Sequence, residues 1–302
     1  MNNDFKLKKQ YKTVQKYDNL KVVSGTILPE SNLILSSNIE GHLNINYYQS
    51  GELSKHYSLF HEIKNINPID KQTIIYSSDY LINTFDISIG KNIWSFYAHD
   101  KKIDSLFFDD KYCNIISSTK NGIIHVWDFK RKSFIPCLSH FLFDENNIIS
   151  TDYNSENKFF YSLGENGSIN ILNIFECEEI YTWKMNINHN RPISINANLN
   201  NLNQFIIGFE KGFKIFDVRN FGFIEDWVDN LDFDINKCII DSNNILMQNK
   251  FGIVLYDYKE KKKLGERILK DSIEFLNFIH YQNQETKIIY GDIQGNVYYS
   301  MA

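Results

Sequence analysis

Short apolar runs recur along this chain in one arrangement: a β-like run, a turn that usually holds Gly, a second run in which large residues alternate, and a closing Asp or Asn. Ile115 to Asp128 (IISSTKNGIIHVWD) is the clearest instance, and Ile74 to Asp86 (IIYSSDYLINTFD) repeats it. Phe159 to Asn173 (FFYSLGENGSINILN) keeps the form with Leu172 in the place of Trp127. Phe205 to Asp217 (FIIGFEKGFKIFD) and Ile245 to Asp257 (ILMQNKFGIVLYD) keep it with a turn one residue shorter, and Leu33 to Tyr48 and Lys287 to Ser300 follow it more loosely. Alternation on a period of two predicts strands, and a run with apolar or aromatic residues on both sides predicts a strand covered on both faces.

The turn positions are Gly41, Tyr80, Gly122, Gly167, Gly212, Gly252 and Gly295, with successive spacings of 39, 42, 45, 45, 40 and 43 residues. A unit of about 40–45 residues holding four short strands is the sequence form of one blade of a β-propeller. The predicted fold class is therefore all-β, a seven-bladed propeller forming a single domain over residues 1–302. Gly at the turn supplies the positive φ that a tight hairpin demands. The last blade reaches its third strand at about Ser300 and leaves its outer strand unfilled. Phe5 to Lys12 (FKLKKQYK) is expected to supply that strand, so that the N-terminal segment 1–19 completes the last blade, closes the ring and removes exposed edges.

Composition narrows the function classes. The 23 Phe and 18 Tyr are strand formers, and a formal net charge of −5 gives no global attraction for nucleic acid or an acidic membrane. Cys113, Cys137, Cys177 and Cys238 form no CxxC pair and read as buried thiols in a reducing compartment. The N-terminal residues lack the apolar core of a signal peptide, and no apolar run approaches the roughly 18 residues that span a membrane. A soluble intracellular protein follows, nuclear, nucleolar or cytoplasmic, with no membrane partner.

No catalytic motif is present: no GxSxG elbow, no HExxH and no phosphate-binding loop. His61, His99, His140 and His189 fall one per repeat, too far apart around a ring to share an ion, so no metal, cofactor or small-molecule substrate is expected. An enzyme would need polar or charged residues clustered on the innermost strands, which read LKVVSGTIL and IDSLFF. Asp109–Asp110 and Glu178–Glu179 are expected on solvated turns, and Trp94, Trp183 and Trp227 as packing residues at blade junctions. Lys130, Arg131, Lys132, Arg219, Lys259, Lys261, Lys262 and Lys263 gather on turns after third strands, a candidate rim for RNA or an acidic partner. Glu176, Glu178 and Glu179 interrupt it. Lys101, Lys102 and Arg191 sit on the turns leading into blades, on the opposite rim.

The Gly turn, the Trp127–Asp128 pair and the His of Ala98–His99–Asp100 together resemble the WD-repeat family. The resemblance implies a buried hydrogen-bond network of His99, Thr119, Asn121 and Trp127 in blade three, with Asn121 in the position of the family's usual Asp. It also implies that the rim bearing Lys101, Lys102 and Arg191 is a docking face. The run from Asp86 to Phe134 is similar to the small nucleolar WD-repeat proteins that assist large-ribosomal-subunit assembly. The expected function is a non-catalytic scaffold for protein partners in a larger complex, with ribosome assembly as its narrower form and an RNA-contacting module as the alternative.

Overall fold

The computed structural model describes residues 20–301 apart from 29–30, 48–49, 60, 136–139, 142–146, 177, 186–189, 199, 221, 229–232, 251, 270 and 281–285. Among these residues there is no helix, and the strands form seven antiparallel sheets in chain order, the fold of a seven-bladed β-propeller. Blade one holds β1 (Val22–Ile27), β2 (Leu33–Asn38), β3 (His42–Tyr47) and β4 (Leu53–Ser58). Blade two holds β5 (Lys64–Pro68), β6 (Thr73–Ser78), β7 (Leu81–Asp86) and β8 (Lys91–Tyr97). Blade three holds β9 (Ile103–Asp109), β10 (Asn114–Thr119), β11 (Ile123–Asp128) and the short β12 (Ser133–Phe134), with β13 (His140–Phe141) also pairing with β11. Blade four is β14 (Ile148–Asn154), β15 (Phe159–Gly164), β16 (Ser168–Asn173) and β17 (Glu178–Lys184). Blade five is β18 (Pro192–Ala197), β19 (Gln204–Phe209), β20 (Gly212–Asp217) and β21 (Gly222–Val228). Blade six is β22 (Ile235–Asp241), β23 (Asn244–Asn249), β24 (Gly252–Asp257) and β25 (Lys262–Ile268). Blade seven shows β26 (Ile273–His280), β27 (Thr286–Asp292) and β28 (Val297–Met301).

The seven turn positions read from the sequence all fall between the second and third strands of a blade or at the first residue of the third. Gly41, Gly122, Gly167, Gly212 and Gly295 have positive φ; in blade two Asp79, beside Tyr80, takes that role at φ 50°. The carbonyls of Gly41, Tyr80 and Gly167 accept from the N–H of Leu59, Ala98 and Met185, in each case the residue just beyond the fourth strand. Tyr80 thus does the same work as the glycines through a backbone atom.

In blades two to six the closing Asp or Asn of the repeat caps the following turn. Asp86 Oδ1 accepts from Ser88 N (2.7 Å), Asp128 from Arg131 N (2.8 Å), Asp217 from Arg219 N (2.9 Å) and Asp257 from Lys259 N (2.9 Å). Asn173 accepts from Phe175 N (3.2 Å) in blade four. A short side-chain acceptor that bonds the backbone two or three residues on is what fixes such turns. Four residues after this Asp the chain enters the left-handed region: Gly90 at φ 69°, Lys132 at 54° and Lys261 at 51°.

The residues divide into two compact units. One contains blades seven, one and two with β9 and β10. In it β26 lies against β1, β1 against β5 and β5 against β9. Lys21 also pairs with Glu274 at 2.7 Å, so the last blade meets the first through their first strands. The N-terminal segment 1–19 expected to complete blade seven lies outside the described residues. The other unit contains blades four to six, with β14 against β18 and β18 against β22. In both units the core sits between successive blades. Tyr161, Leu163 and Ile169 of blade four meet Ile195, Phe205 and Ile207 of blade five, and Leu35, Leu43 and Ile45 of blade one meet Ile63, Ile74 and Phe85.

Gly41 and Gly90 test the turn geometry. A Cβ on Gly41 would come within 2.2 Å of the His61 carbonyl oxygen, whereas one on Gly90 would meet the ring of Tyr57 at 2.6 Å. Gly90→Ala should cost about 1–2 kcal/mol for the left-handed backbone. Gly41→Ala should cost about 1–3 kcal/mol more, because main chain cannot rotate aside as a tyrosine ring can. Denaturant midpoints of the two variants check this, and equal losses would contradict it.

Candidate functional site

The first strand of each blade is an edge of its sheet, so half of its backbone groups have no partner within the blade. Polar side chains on the first strand of one blade supply those partners for the next. Ile66 N donates to Ser24 Oγ (3.3 Å), and Asn65 and Asn67 donate to the carbonyls of Asp104 (2.9 Å) and Leu106 (2.8 Å). In the other unit Ile195 N donates to Ser150 Oγ (3.1 Å) and Ala197 N to Asp152 Oδ2 (2.8 Å). Cys238 N donates to Ser194 Oγ (3.0 Å), while Asn198 accepts from Ser242 N and donates to Ser242 O, both at 3.0 Å. Each bond spans 39 to 45 residues, one repeat. The first strands thus carry polar side chains, Ser24 and Ser105 within LKVVSGTIL and IDSLFF included, and the bonds above commit several of them to the next blade.

Asp152 and Lys237 are the charged members of this layer. Both are hemmed in by protein while water still reaches them. Burial pushes the Asp152 carboxyl up, opposed by the N–H groups of Ala197 and Tyr153 and by the charge of Lys237. Burial pushes the Lys237 ammonium down, opposed by Asp152. Each charge favours the other, and the Asp152 carboxylate already holds blade five through Ala197 N. Cys238 is buried beside them, and burial alone pushes its thiol well above the usual range, which makes it an inert packing group.

Blade three contains the predicted polar network in altered form. His99 is buried, its Nε2 lies 2.8 Å from Ser117 Oγ, and the Trp127 indole N–H donates to the same oxygen at 3.1 Å. The hydroxyl joining His99 to Trp127 is thus that of Ser117, two residues before Thr119. Thr119 is buried at the end of β10, and Asn121 stands exposed in the turn that follows. Of the other repeat histidines, His61 is exposed, His140 opens β13, and His189 lies outside the described residues.

Three of the eight basic residues of the candidate rim have a carboxylate partner. Arg131 pairs with Asp128 at 3.6 Å, Arg219 binds Asp217, and Lys263 pairs with Glu266. The Arg219 hydrogen bond holds the Asp217 carboxyl below the usual carboxylate range. Lys132 lies over the Trp94 ring at 5.9 Å, Lys130, Lys259 and Lys261 are exposed on their turns, and Lys262 is exposed at the start of β25. On the turns leading into blades, Lys101 is exposed, Lys102 pairs with Asp79 at 2.7 Å and Arg191 with Glu165 at 2.5 Å. Glu178 and Glu179 are solvated as expected, but Asp109 is fully buried and accepts from Lys111 N (3.0 Å) and Tyr112 N (3.2 Å). Trp94 stacks on Phe96 at 4.2 Å and Trp183 packs edge-on to Phe216 of the next blade.

A cavity of about 540 Å³ opens at the starts of β14, β18 and β22, lined by Ile149, Arg191, Pro192, Ile193, Glu210, Asp234, Ile235 and Asn236. Arg191 belongs to the predicted docking rim; the others went unnoticed because they are brought together from three repeats. No group of His, Cys, Asp and Glu among the described residues could hold a metal ion, and no helix among them is long and apolar enough to cross a membrane. No protein-family profile matches the chain, and no curated protein is significantly similar to it.

Two expectations follow. Ser117→Ala removes the hydroxyl shared by His99 and Trp127 and should cost about 2 kcal/mol, with Trp127 fluorescence shifted before any unfolding. Asp152→Asn and Lys237→Met should each cost about 2 kcal/mol, yet the double variant should lose less than the sum, because each single change leaves an uncompensated charge. A urea-denaturation cycle measures the difference, and strict additivity would show that the two charges are independent.

Proposed function

We propose that this protein is a non-catalytic scaffold of the WD-repeat type that holds protein partners within a larger assembly. A propeller is commonly a protein-interaction scaffold. The observation that carries the reading here is the use of the first-strand polar groups. Ser150, Asp152, Ser194 and Asn198 are bonded to the backbone of the following blade, so they serve cohesion and leave the exposed turns for recognition. Rigid turns dock with little loss of ordering entropy. Contact with RNA through the basic turns finds less support, because Arg131, Arg219 and Lys263 each have a carboxylate partner. The narrower role in large-ribosomal-subunit assembly rests on the likeness of Asp86 to Phe134 alone.

Sedimentation of the tagged protein from its native cell extract, with and without nuclease, tests the proposal. A fast-sedimenting complex that survives nuclease is the expected result. Collapse on nuclease treatment, with binding that weakens steeply as salt rises, would replace it with RNA contact. Sedimentation at the size of the lone chain would remove the scaffold reading.

A further inference from the structure

The cavity between the starts of β14, β18 and β22 has a definite charge pattern. Two of its ionic groups are already matched: Arg191 by Glu165 at 2.5 Å and Asp234 by Lys211 at 2.6 Å. Glu210 is different. It lines the cavity, half-buried, and among the described residues its carboxylate has no partner. Its backbone is fixed on both sides, since its N–H donates to the Arg191 carbonyl at 3.0 Å and its carbonyl accepts from Ile235 N at 2.8 Å. The next residue is pinned as well, Lys211 N donating to Asn190 Oδ1 at 3.0 Å. Lys237 lies further along β22 and is compensated by Asp152. The cavity therefore presents one carboxylate, on a fixed backbone and without a partner among the described residues, together with the apolar lining of Ile149, Pro192 and Ile235.

We propose that this cavity receives a lysine or arginine side chain of a protein partner, its aliphatic stem against Ile149, Pro192 and Ile235 and its cation on Glu210. Such side chains carry an apolar stem and a charged head, and the cavity lining offers both apolar residues and a carboxylate. A volume of about 540 Å³ lies within the range of built ligand sites and leaves room for residues flanking the anchor. The proposal deepens the scaffold reading and rests on it for the identity of the occupant as a protein.

Isoleucine-methyl NMR supplies the test, with N-acetyl-arginine amide as the probe and N-acetyl-citrulline amide as its uncharged counterpart. The arginine probe should shift the Ile149, Ile193 and Ile235 methyl signals in a saturable way, and the citrulline probe should not. Glu210→Gln should weaken the arginine probe about ten-fold or more, the loss expected for one charged hydrogen bond. Equal shifts with both probes, or unchanged affinity in Glu210→Gln, would overturn the assignment, and the probe comparison needs no variant. Sedimentation of wild type and Glu210→Gln from native extract separates the two levels of the argument. Full retention of co-sedimenting proteins by the variant refutes the cavity as their seat while leaving the scaffold standing. A wild-type chain that sediments alone refutes the scaffold whatever the titration shows.

Discussion

Every blade ends on its inner side in a strand with an open edge, and the fold depends on closing those edges without adding another strand. The answer is a side chain from the preceding blade: Ser24 for Ile66, Asn67 for Leu106, Asp152 for Ala197, Ser194 for Cys238. Each such bond contributes about 0.5–1.5 kcal/mol net, but leaving the backbone group bare would cost more. The apolar layers between successive blades form the core, and the polar stitches add directional contacts from one blade to the next. Asp152, committed to Ala197, is favoured in its charged form by the N–H groups of Ala197 and Tyr153, by Asn196 and by the charge of Lys237.

Much of this was legible in the residues. The Gly turns fix the hairpins, and the spacing of Gly41 to Gly295 places all seven between second and third strands. The network of blade three was legible only in part. Ser117 and Thr119 are two apart on one strand, point to the same face and are both buried, so alternation alone cannot choose between them. The stitches escaped altogether, because their recipients are backbone atoms, which leave no mark in a sequence. Asp109 misled for a related reason: a carboxylate beside a second Asp looks solvated, yet its oxygen is turned onto the Lys111 and Tyr112 N–H groups.

Charge follows the same economy. The turns after third strands look cationic when read as a string, but Asp128 and Asp217 first cap the turn backbone and then face Arg131 and Arg219 of that same turn. One carboxylate thus orders the turn and pairs with one of its cations. Glu210, which caps nothing and faces no cation among the described residues, stands apart from this habit, and that contrast is what makes its position informative.

The stitches bond to main chain, and main chain is the same whatever residue carries it. A blade can therefore exchange nearly all of its side chains without loosening the grip of the blade before it, provided its own Ser, Asn or Asp persists for the blade after. Under such a rule repeats drift apart freely in wording while keeping their length. That is how a chain with a single Trp–Asp pair among its repeats, at Trp127–Asp128, can still build blade after blade to one plan.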